Sequence, residues 1–302
     1  MRIDEENKRV YVRQSWLGDA MLCQERGRRM MVSPEFRTTN DSAVMGTAVH
    51  AGIEAVMTGV IDPMDAHHVS VAKLNHIKET EHVKVTNTDP STWEDLVRSM
   101  TNAFVSGVLP EVPLGGKSEY KFEYFSNAMV DGYAIWFEGT MDYFHPTGVW
   151  DWKTAARKYS LLEKQTQSIQ ASIYSGYALQ SGEVEVDADG NIGFNFGVML
   201  RNLKGDSQIV RIKRNSAHQM WVTEQATTLV RLALAMRDAE GEFNRSWLKN
   251  DQHFLCSERW CPWWSVCKGV YVQDKDNQLG EQQWITKKSK SFHRSAQKLL
   301  PT

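Results

Sequence analysis

The sequence predicts an α/β or α+β fold in which a central mixed β-sheet is flanked by helices. Segments with strand-like alternation and segments with helical periodicity follow one another along most of the chain, which is typical of this class. The 302 residues are ample for a buried core, and contents of 41% hydrophobic and 24% charged residues are ordinary for a globular protein. The clearest single element is a β-hairpin near the middle of the chain.

Charge and composition limit the function classes. The formal net charge of −2 excludes a protein that coats nucleic acid non-specifically, so any nucleic-acid site is expected to be a local basic groove. The first residues form no apolar signal region, and no stretch approaches the ~18 apolar residues of a membrane span. We therefore expect a cytoplasmic protein with no membrane partner. In that reducing compartment the four cysteines are expected to be ligands or thiols, not disulfides.

The first predicted helix spans residues 15–31 and begins at Ser15, with an apolar side formed by Trp16 and Leu17. Cys23 lies in its middle. Taken alone, a cysteine at such a position is more simply interpreted as a small buried hydrophobic residue than as a ligand.

The second predicted helix spans residues 40–59. Gly46, His50 and Glu54 fall on one face of it at successive turns. Gly46 leaves room for a close neighbour, and His50 has the spacing to point at something bound there. A single helical histidine is more often structural than functional, so this pattern gains weight only with its surroundings.

Residues 60–116 are predicted to form a peripheral helical insertion, which ends at a Gly-Gly pair. Its histidines lack the paired i, i+4 spacing with acidic residues that is typical of a zinc-binding helix; they are His67, His68, His76 and His82.

A strand is expected over residues 117–127, with a turn near Ala128 into the central hairpin. Glu119 and Glu123 share one face of this strand. A solvated face is the simpler interpretation, and a contribution to a functional site is the alternative.

The central hairpin covers residues 137–154, where two runs rich in aromatic and β-branched residues flank the turn sequence His-Pro-Thr-Gly. If residues 145–148 form a four-residue loop, Asp142 lies directly opposite Asp151. Their Cβ atoms would be only ~5 Å apart, and like charges so placed destabilise a sheet. A cation between the two carboxylates resolves this conflict.

Side-chain alternation places Asp142, Asp151 and Lys153 on one face of the hairpin, and Trp150 and Trp152 on the other. Two acids and a lysine around a divalent metal ion form a site suited to phosphodiester hydrolysis. Taken alone, the same residues are equally compatible with a solvent-facing hairpin that carries scattered charges.

An amphipathic helix is predicted over residues 160–182. Its polar stripe beside the acidic site is suited to hydrogen bonding with a phosphate backbone, although a plain polar helix face is as good an interpretation; the stripe contains Gln167, Gln170, Tyr174 and Tyr177. Its inner side is expected to contain Leu161, Leu162, Ile169 and Ile173.

The remaining core elements are strands at residues 191–201 and 208–214 and a long helix at residues 215–240. From residue 270 the chain turns polar and basic. We interpret this end as a solvated tail, with a contact to DNA or to a partner protein as the alternative.

Three cysteines close together near the C-terminus, with Cys23 as the fourth, provide a complete set of four thiolate ligands; the three are Cys256, Cys261 and Cys267. Four-cysteine sites hold zinc or an iron–sulfur cluster. The neighbouring tryptophans favour an iron–sulfur cluster because an apolar shell excludes water. Zinc and unliganded thiols remain as alternatives.

Six short motifs occur in a fixed order along residues 15–268. They are Ser15-x-Leu17 followed by Cys23, Gly46-x-x-x-His50, Gly139-x-x-Asp142, Asp151-x-Lys153, Gln170-x-x-x-Tyr174, and Cys261-Pro262 with Cys267. In this order they resemble the PD-(D/E)XK nuclease superfamily. The pattern is most similar to its RecB-like exonucleases with an iron–sulfur cluster, as in AddB-type nuclease subunits and CRISPR-associated exonucleases.

The sequence departs from the family pattern at two points. Four residues separate Cys256 from Cys261 where two are common, and Asp151 occupies the position of a more frequent glutamate.

The resemblance implies a restriction-endonuclease-like core with Asp142, Asp151 and Lys153 as catalytic residues. It also implies that His50, the two aspartates and the backbone carbonyl of Trp152 hold Mg²⁺ or Mn²⁺. A [4Fe–4S] cluster bound by the four cysteines is implied as a second cofactor, with Zn²⁺ as the alternative. Gln170 and Tyr174 are implied to contact DNA.

By the same resemblance we expect an exonuclease of recombination, repair or phage DNA processing, in a bacterium or a phage-infected cell. It would act on linear, single-stranded or end-containing DNA, with a helicase or recombinase as a possible partner. The alternatives are a DNA-binding recombination scaffold and a zinc-stabilised restriction-type endonuclease. The domain plan assigns residues 1–59 to the N-terminal helices, 60–116 to the helical insertion, 117–240 to the nuclease core, 241–269 to the iron–sulfur segment and 270–302 to the tail.

Overall fold

The structure is a computed structural model that describes residues 1–34 and 39–268. The chain divides into two compact units, residues 1–249 and 250–302. The basic tail expected from residue 270 onward lies outside the described residues.

The first unit alternates strands and helices as the sequence predicts. Its elements in chain order are β1 (Arg2–Asp4), β2 (Arg9–Val12), α1 (Gln14–Leu22), α2 (Gln24–Val32), β3 (Thr39–Asn40), α3 (Asp41–Met57), α4 (Ala66–Thr80), β4 (Val83–Lys84), α5 (Trp93–Gly107), β5 (Lys117–Val130), β6 (Tyr133–His145), β7 (Gly148–Ala155), α6 (Leu161–Gln167), α7 (Ile169–Ser181), β8 (Ile192–Leu200), β9 (Ser207–Arg214) and α8 (Ser216–Ala235).

A mixed sheet forms the centre of this unit, with strand order β1-β2-β6-β7-β8-β9 and β5 also paired with β6. The β2–β6 and β7–β8 pairs are parallel and the other pairs of this sheet are antiparallel. The predicted mixed sheet with flanking helices is therefore confirmed. A separate pair, β3 with β4, is parallel and only two residues long.

Strand β6 organises the sheet because it has three partners on two edges. β5 pairs along nearly its whole length, which fills one edge. The other edge is shared by β2, which pairs with residues 134–137, and by β7, which pairs with residues 143–145. Residues 138–142 pair with neither, so this edge of β6 is open between its two neighbours.

Helices cover both faces of the sheet. Helices α1, α7 and α8 pack on one face over a cluster that includes Phe137 and Phe194. Helices α3, α4 and α5 pack on the other face, over a cluster that includes Tyr143, Trp150 and Trp152. The two tryptophans of β7 thus lie on the face opposite Val149, as side-chain alternation predicts.

Two predicted helices are each divided in the structure. The helix expected over residues 15–31 breaks at Cys23, whose backbone is extended with φ −156° and ψ 114°. The break lets α2 fold back on α1: a Cβ at Gly27 would lie 2.6 Å from the Cβ of Ala20. Trp16 secures this contact by donating from Nε1 to the Gly27 carbonyl over 3.0 Å.

The helix expected over residues 160–182 breaks at Ser168, whose side chain accepts a hydrogen bond from the backbone N–H of Ala171 and caps α7. The prediction that Leu161 and Leu162 face inward is wrong, since they are 58% and 73% exposed. They belong to α6, which is a separate helix from α7 because the chain breaks at Ser168.

Turn positions also differ from the prediction. β5 continues past Ala128 through a bulge between Phe125 and Met129, and the chain turns at residues 131–132. The hairpin loop contains only residues 146–147, because His145 pairs with Gly148. β1 and β2 were not predicted; they are too short to show a period-two pattern.

The described part of the second unit consists of turns followed by α9 (Trp264–Lys268). Across the described residues of the whole chain, the helices all fall short of the length and apolar character needed to cross a lipid bilayer.

Candidate active site

The candidate site lies where the β6–β7 ladder stops. Phe144 pairs with Val149, as the sequence predicts, and the last pair is Tyr143 with Trp150. One step further in, the backbone N–H of Trp152 donates to Oδ2 of Asp142 over 2.6 Å. A carboxylate takes the place of a strand carbonyl at this point, so the two strands separate at Asp142 and Asp151.

Asp151 is held from both sides of its carboxylate. Only 1% of the residue is exposed, and Gln170 Nε2 donates to Oδ1 over 2.6 Å. Lys153 Nζ forms an ion pair with Oδ2. The parallel pairing of β7 with β8 fixes the backbone beneath, where Asp151 pairs with Phe196. The structure thus brings three of the predicted site residues into direct contact.

The charges of the site are not balanced in the protein alone. Burial raises the pKa of Asp142 well above its ordinary value, and the negative charge of Asp151 raises it further. Burial would lower the pKa of Lys153, but the charges of Asp151 and Asp142 raise it above its ordinary value. Lys153 is therefore protonated near pH 7, and its single positive charge faces the two carboxylates of Asp142 and Asp151.

His50 enters the site from α3 on the opposite side of the sheet. Gly46, one turn earlier, permits the approach: a Cβ there would lie 3.2 Å from Oγ1 of Thr154 on β7. His50 Nε2 lies 3.0 Å from the Trp152 carbonyl oxygen, and its Nδ1 lies 3.8 Å from Oδ1 of Asp142. Burial and the charge of Lys153 lower the pKa of His50, so the imidazole is neutral near pH 7 and able to bind a metal ion.

Gln170 and Tyr174 are both on α7 but in different surroundings. Gln170 reaches Asp151, as described above, whereas Tyr174 is 5% exposed and packs edge-on against Phe122 with ring centroids 5.1 Å apart. Burial and the nearby Asp151 raise the pKa of Tyr174 to about 12, which keeps its hydroxyl protonated. Gly139 makes room for this packing, since a Cβ there would lie 3.2 Å from the Tyr174 ring.

A groove of about 410 Å³ opens beside His50 and Asp142. Glu119, one of the two acids of β5 that the sequence singled out, lines it, and burial together with the charge of Glu54 raises its pKa. Lys73 of α4 also lines the groove. No sequence pattern pointed to Lys73, because residues 60–116 were predicted only as a polar helical insertion.

The donor atoms present are suited to a hard divalent cation. Within residues 1–34 and 39–268, no three His, Cys, Asp or Glu side chains form a ready-made metal-binding group. Asp142, Asp151 and the Trp152 carbonyl nevertheless supply oxygen donors at the open edge, and His50 supplies a neutral nitrogen. These are donors that Mg²⁺ and Mn²⁺ accept. A bound cation would also balance the excess negative charge that raises the pKa of Asp142.

The four cysteines fall in the two separate units. Cys23 of the first unit is half-buried at the junction of α1 and α2. The other three are half-buried in the second unit, in consecutive hydrogen-bonded turns: Cys256 N–H donates to the His253 carbonyl over 2.8 Å, and Cys261 N–H donates to the Ser257 carbonyl over 2.8 Å. Cys267 lies in α9.

Comparison with known proteins agrees with the geometry. A profile of the PD-(D/E)XK nuclease superfamily matches residues 23–268, which include the open edge of β6, Lys153 and Gln170. Among curated protein sequences, no significant match to the chain is found. The match covers most of the chain, and the protein therefore belongs to the PD-(D/E)XK nuclease superfamily.

Proposed function

We propose that this protein is a Mg²⁺- or Mn²⁺-dependent deoxyribonuclease that degrades linear DNA from its ends. The proposal rests on a set of polar contacts at the open edge of β6. Asp142 accepts a hydrogen bond from the Trp152 N–H, and Asp151 contacts both Lys153 and Gln170. Membership in the PD-(D/E)XK nuclease superfamily supports phosphodiester hydrolysis as the chemistry and DNA as the substrate.

Each residue has a role that follows from its contacts. Lys153 holds a proton firmly and lies beside both acids, so it can orient a water molecule and offset negative charge that develops on the phosphate. Gln170 fixes the orientation of Asp151. His50, Asp142, Asp151 and the Trp152 carbonyl would hold the divalent ion, which lowers the pKa of bound water and polarises a phosphate when present.

The exonuclease mode and the second cofactor belong to the proposal as well. They are supported by the ordered motifs around Cys23, Cys256, Cys261 and Cys267, which resemble those of RecB-like exonucleases with a [4Fe–4S] cluster. We place the enzyme in the cytoplasm of a bacterium or a phage-infected cell, in recombination, repair or phage DNA processing. A helicase or recombinase is the proposed partner.

The test is digestion of end-labelled linear DNA and of closed circular DNA with Mn²⁺, and with EDTA as the metal-free control. The proposal predicts metal-dependent release of short products from linear DNA only. Cleavage of closed circles would indicate an endonuclease. Absence of cleavage with retained DNA binding would indicate a scaffold protein, and either result would refute the exonuclease.

Iron analysis tests the cluster separately. Protein purified without oxygen is expected to be brown and to contain about four iron atoms per chain. The variants Cys23→Ser and Cys261→Ser should each lower iron content and thermal stability together. Stoichiometric zinc in a colourless protein would refute the cluster.

A further inference from the structure

A second groove lies on the face of the sheet that carries α1, α7 and α8. Its volume is about 740 Å³, within the ~300–1,000 Å³ of typical ligand sites. Helix α1 forms one wall, the junction of α6 and α7 forms another, and Trp221 of α8 lines it as well. None of the proposed catalytic residues lines this groove.

The junction of α6 and α7 links this groove to the candidate active site along the chain. Gln167 and Ile169 line the groove and lie on either side of Ser168, the residue that caps α7. The next residue along α7, Gln170, donates to Asp151. A chain bound in this groove would therefore lie within one helical turn of the residue that orients Asp151.

The lining combines apolar side chains, uncharged polar side chains and the ring of Trp221, with little net charge. Trp221 is 38% exposed, and Met21 and Leu22 on α1 are 39% and 36% exposed. In the described part of the chain, the Trp221 ring stacks on no other aromatic ring. Arg26 is paired with Asp19 over 2.7 Å, so these two charges cancel. A neutral wall with an available aromatic ring suits the faces of nucleobases better than it suits the phosphates of a duplex.

One end of the groove is suited to a phosphate. Gln14 and Ser15 line this end and form the first turn of α1. That turn contains no acidic residue, and the N-cap residue Arg13 makes no side-chain capping hydrogen bond. Within this first turn, no acidic side chain neutralises the backbone N–H groups and the partial positive charge of the helix start.

We propose that this groove binds single-stranded DNA next to the scissile phosphate, with a base stacked on Trp221. The inference rests on the proposed nuclease function, because it assigns the groove to the substrate of that site. It predicts a preference for single-stranded ends over blunt duplex ends, since paired bases cannot present their faces to Trp221.

Gly18 offers a way to close the groove without disturbing the core. It lines the groove from the middle of α1, and a Cβ added there meets no heavy atom within 4 Å. Gly18→Leu should therefore fill the groove while keeping α1 intact, because leucine is a better helix former than glycine. Gly18→Ala is the matched control, since it adds one methyl group and leaves the groove open.

Binding is measured by fluorescence anisotropy of a labelled oligo(dT) strand and of a labelled duplex, with EDTA to prevent cleavage. Trp221→Ala is expected to weaken single-strand binding about 5- to 150-fold, the range of one lost base–aromatic stack. Gly18→Leu should weaken it at least tenfold. Gly18→Ala and Met220→Ala, a truncation of an exposed neighbour on α8, should stay within twofold of wild type.

Thermal melting of each variant checks that it is folded, and Trp221→Phe should restore most of the affinity. Unchanged single-strand affinity in both Trp221→Ala and Gly18→Leu would overturn the proposal. So would an equal loss of single-strand and duplex binding.

The binding assay needs no catalysis, so the two proposals fail separately. If wild-type protein cleaves DNA but neither variant binds more weakly, the groove assignment is wrong and the nuclease stands. If wild-type protein does not cleave DNA but the variants bind more weakly, the nuclease is wrong and the single-strand groove stands.

Discussion

Glu25 and Asp142 are two carboxylates of the first unit that are largely withdrawn from solvent, and the fold balances their charges in opposite ways. Glu25 of α2 accepts hydrogen bonds from Arg28 at 2.6 and 2.8 Å, from Arg29 at 2.9 Å and from the Trp247 backbone N–H at 2.8 Å. Burial would raise the pKa of Glu25, but Arg28 and the Trp247 N–H lower it below its ordinary value. This site is complete without any added ion.

Asp142 has the opposite balance. It accepts a hydrogen bond from the Trp152 backbone N–H, and it faces the carboxylate of Asp151. The nearby cation, Lys153, forms its ion pair with Asp151 and not with Asp142. The pKa of Asp142 is therefore raised by burial and by Asp151. Glu25, whose charge is balanced by arginines and a backbone N–H, links α2 to the segment that contains Trp247. A charge that the fold leaves in excess marks the place where a cation belongs.

Loss of Lys153 should affect catalysis most. Lys153→Ala should lower the rate of DNA cleavage about 10³-fold, because it removes the cation that pairs with Asp151 and interacts with Asp142. Single-turnover cleavage of labelled DNA with Mn²⁺ measures the effect. Lys213→Ala is the control, since Lys213 also pairs with an aspartate, Asp187 at 2.8 Å, but on an exposed part of the same sheet. Equal rates for the two variants would remove Lys153 from the site.

The second prediction concerns the contribution of Glu25 to the stability of the fold. Glu25→Gln should lower the free energy of unfolding by about 3–5 kcal/mol, because Arg28 then remains buried without its charge partner. Urea denaturation measures the loss. Glu111→Gln, which breaks the exposed pair with Arg211, should cost less than about 1 kcal/mol. The metal requirement of cleavage should be the same in Glu25→Gln and wild type; a changed requirement would contradict a purely structural role.

His50 tests the link between α3 and the open edge. His50→Ala should raise the Mn²⁺ concentration needed for half-maximal cleavage about 10- to 100-fold. It should cost only about 1 kcal/mol of stability, the contribution of the hydrogen bond to the Trp152 carbonyl. His145→Ala, at the turn end of the same hairpin, is the control and should leave the Mn²⁺ requirement unchanged. A His50 variant with reduced stability and an unaltered requirement would indicate a structural histidine.

The last substitution is expected to have a small effect and to stabilise the metal-free protein, whereas most substitutions destabilise a protein. Asp142→Asn should raise the stability of the metal-free protein at pH 7, since each unit of pKa elevation costs about 1.4 kcal/mol when the acid is charged. The difference should vanish below pH 3.8, the ordinary value of this group, and grow as pH rises through the elevated pKa. Melting temperatures in EDTA across pH measure it.

Glu25→Gln should show the opposite pH profile. Because the folded-state pKa of Glu25 is lowered, its contribution is complete above its ordinary value of 4.5 and is lost as pH falls through the lower folded value. Wild type and Glu25→Gln should therefore converge only in acid. The same direction of change in both variants at pH 7 would contradict the contrast between the two carboxylates.

The side chains that share a face of the hairpin could be predicted from the sequence because the signals for them are local. Strand periodicity fixes which side chains share a face, so Asp142, Asp151 and Lys153 could be placed together from spacing alone. The pairing of Phe144 with Val149 follows from the turn sequence, although the loop proved to be two residues and not four.

Non-local features could not be predicted in this way. The open edge of β6 exists because β2 and β7 share it, and β2 gives no sequence signal within its four residues. The break at Cys23 depends on the contact between Gly27 and Ala20, and the groove residue Lys73 depends on how α4 packs beside α3. Glu25 was not singled out, because its partner Trp247 lies more than two hundred residues away.

Under the proposed function, Asp142 and Asp151 at the open edge of β6 hold a divalent cation. The melting temperature at pH 7 with saturating Mn²⁺ and with EDTA tests this binding without any need for catalysis. Wild type should gain about 5–10 °C, since a ligand at 100 times its Kd adds about 2.7 kcal/mol. Asp151→Asn should gain nothing, while Asp187→Asn, which changes the aspartate of the exposed pair, should gain as much as wild type. An undiminished gain in Asp151→Asn would contradict metal binding at the open edge of β6.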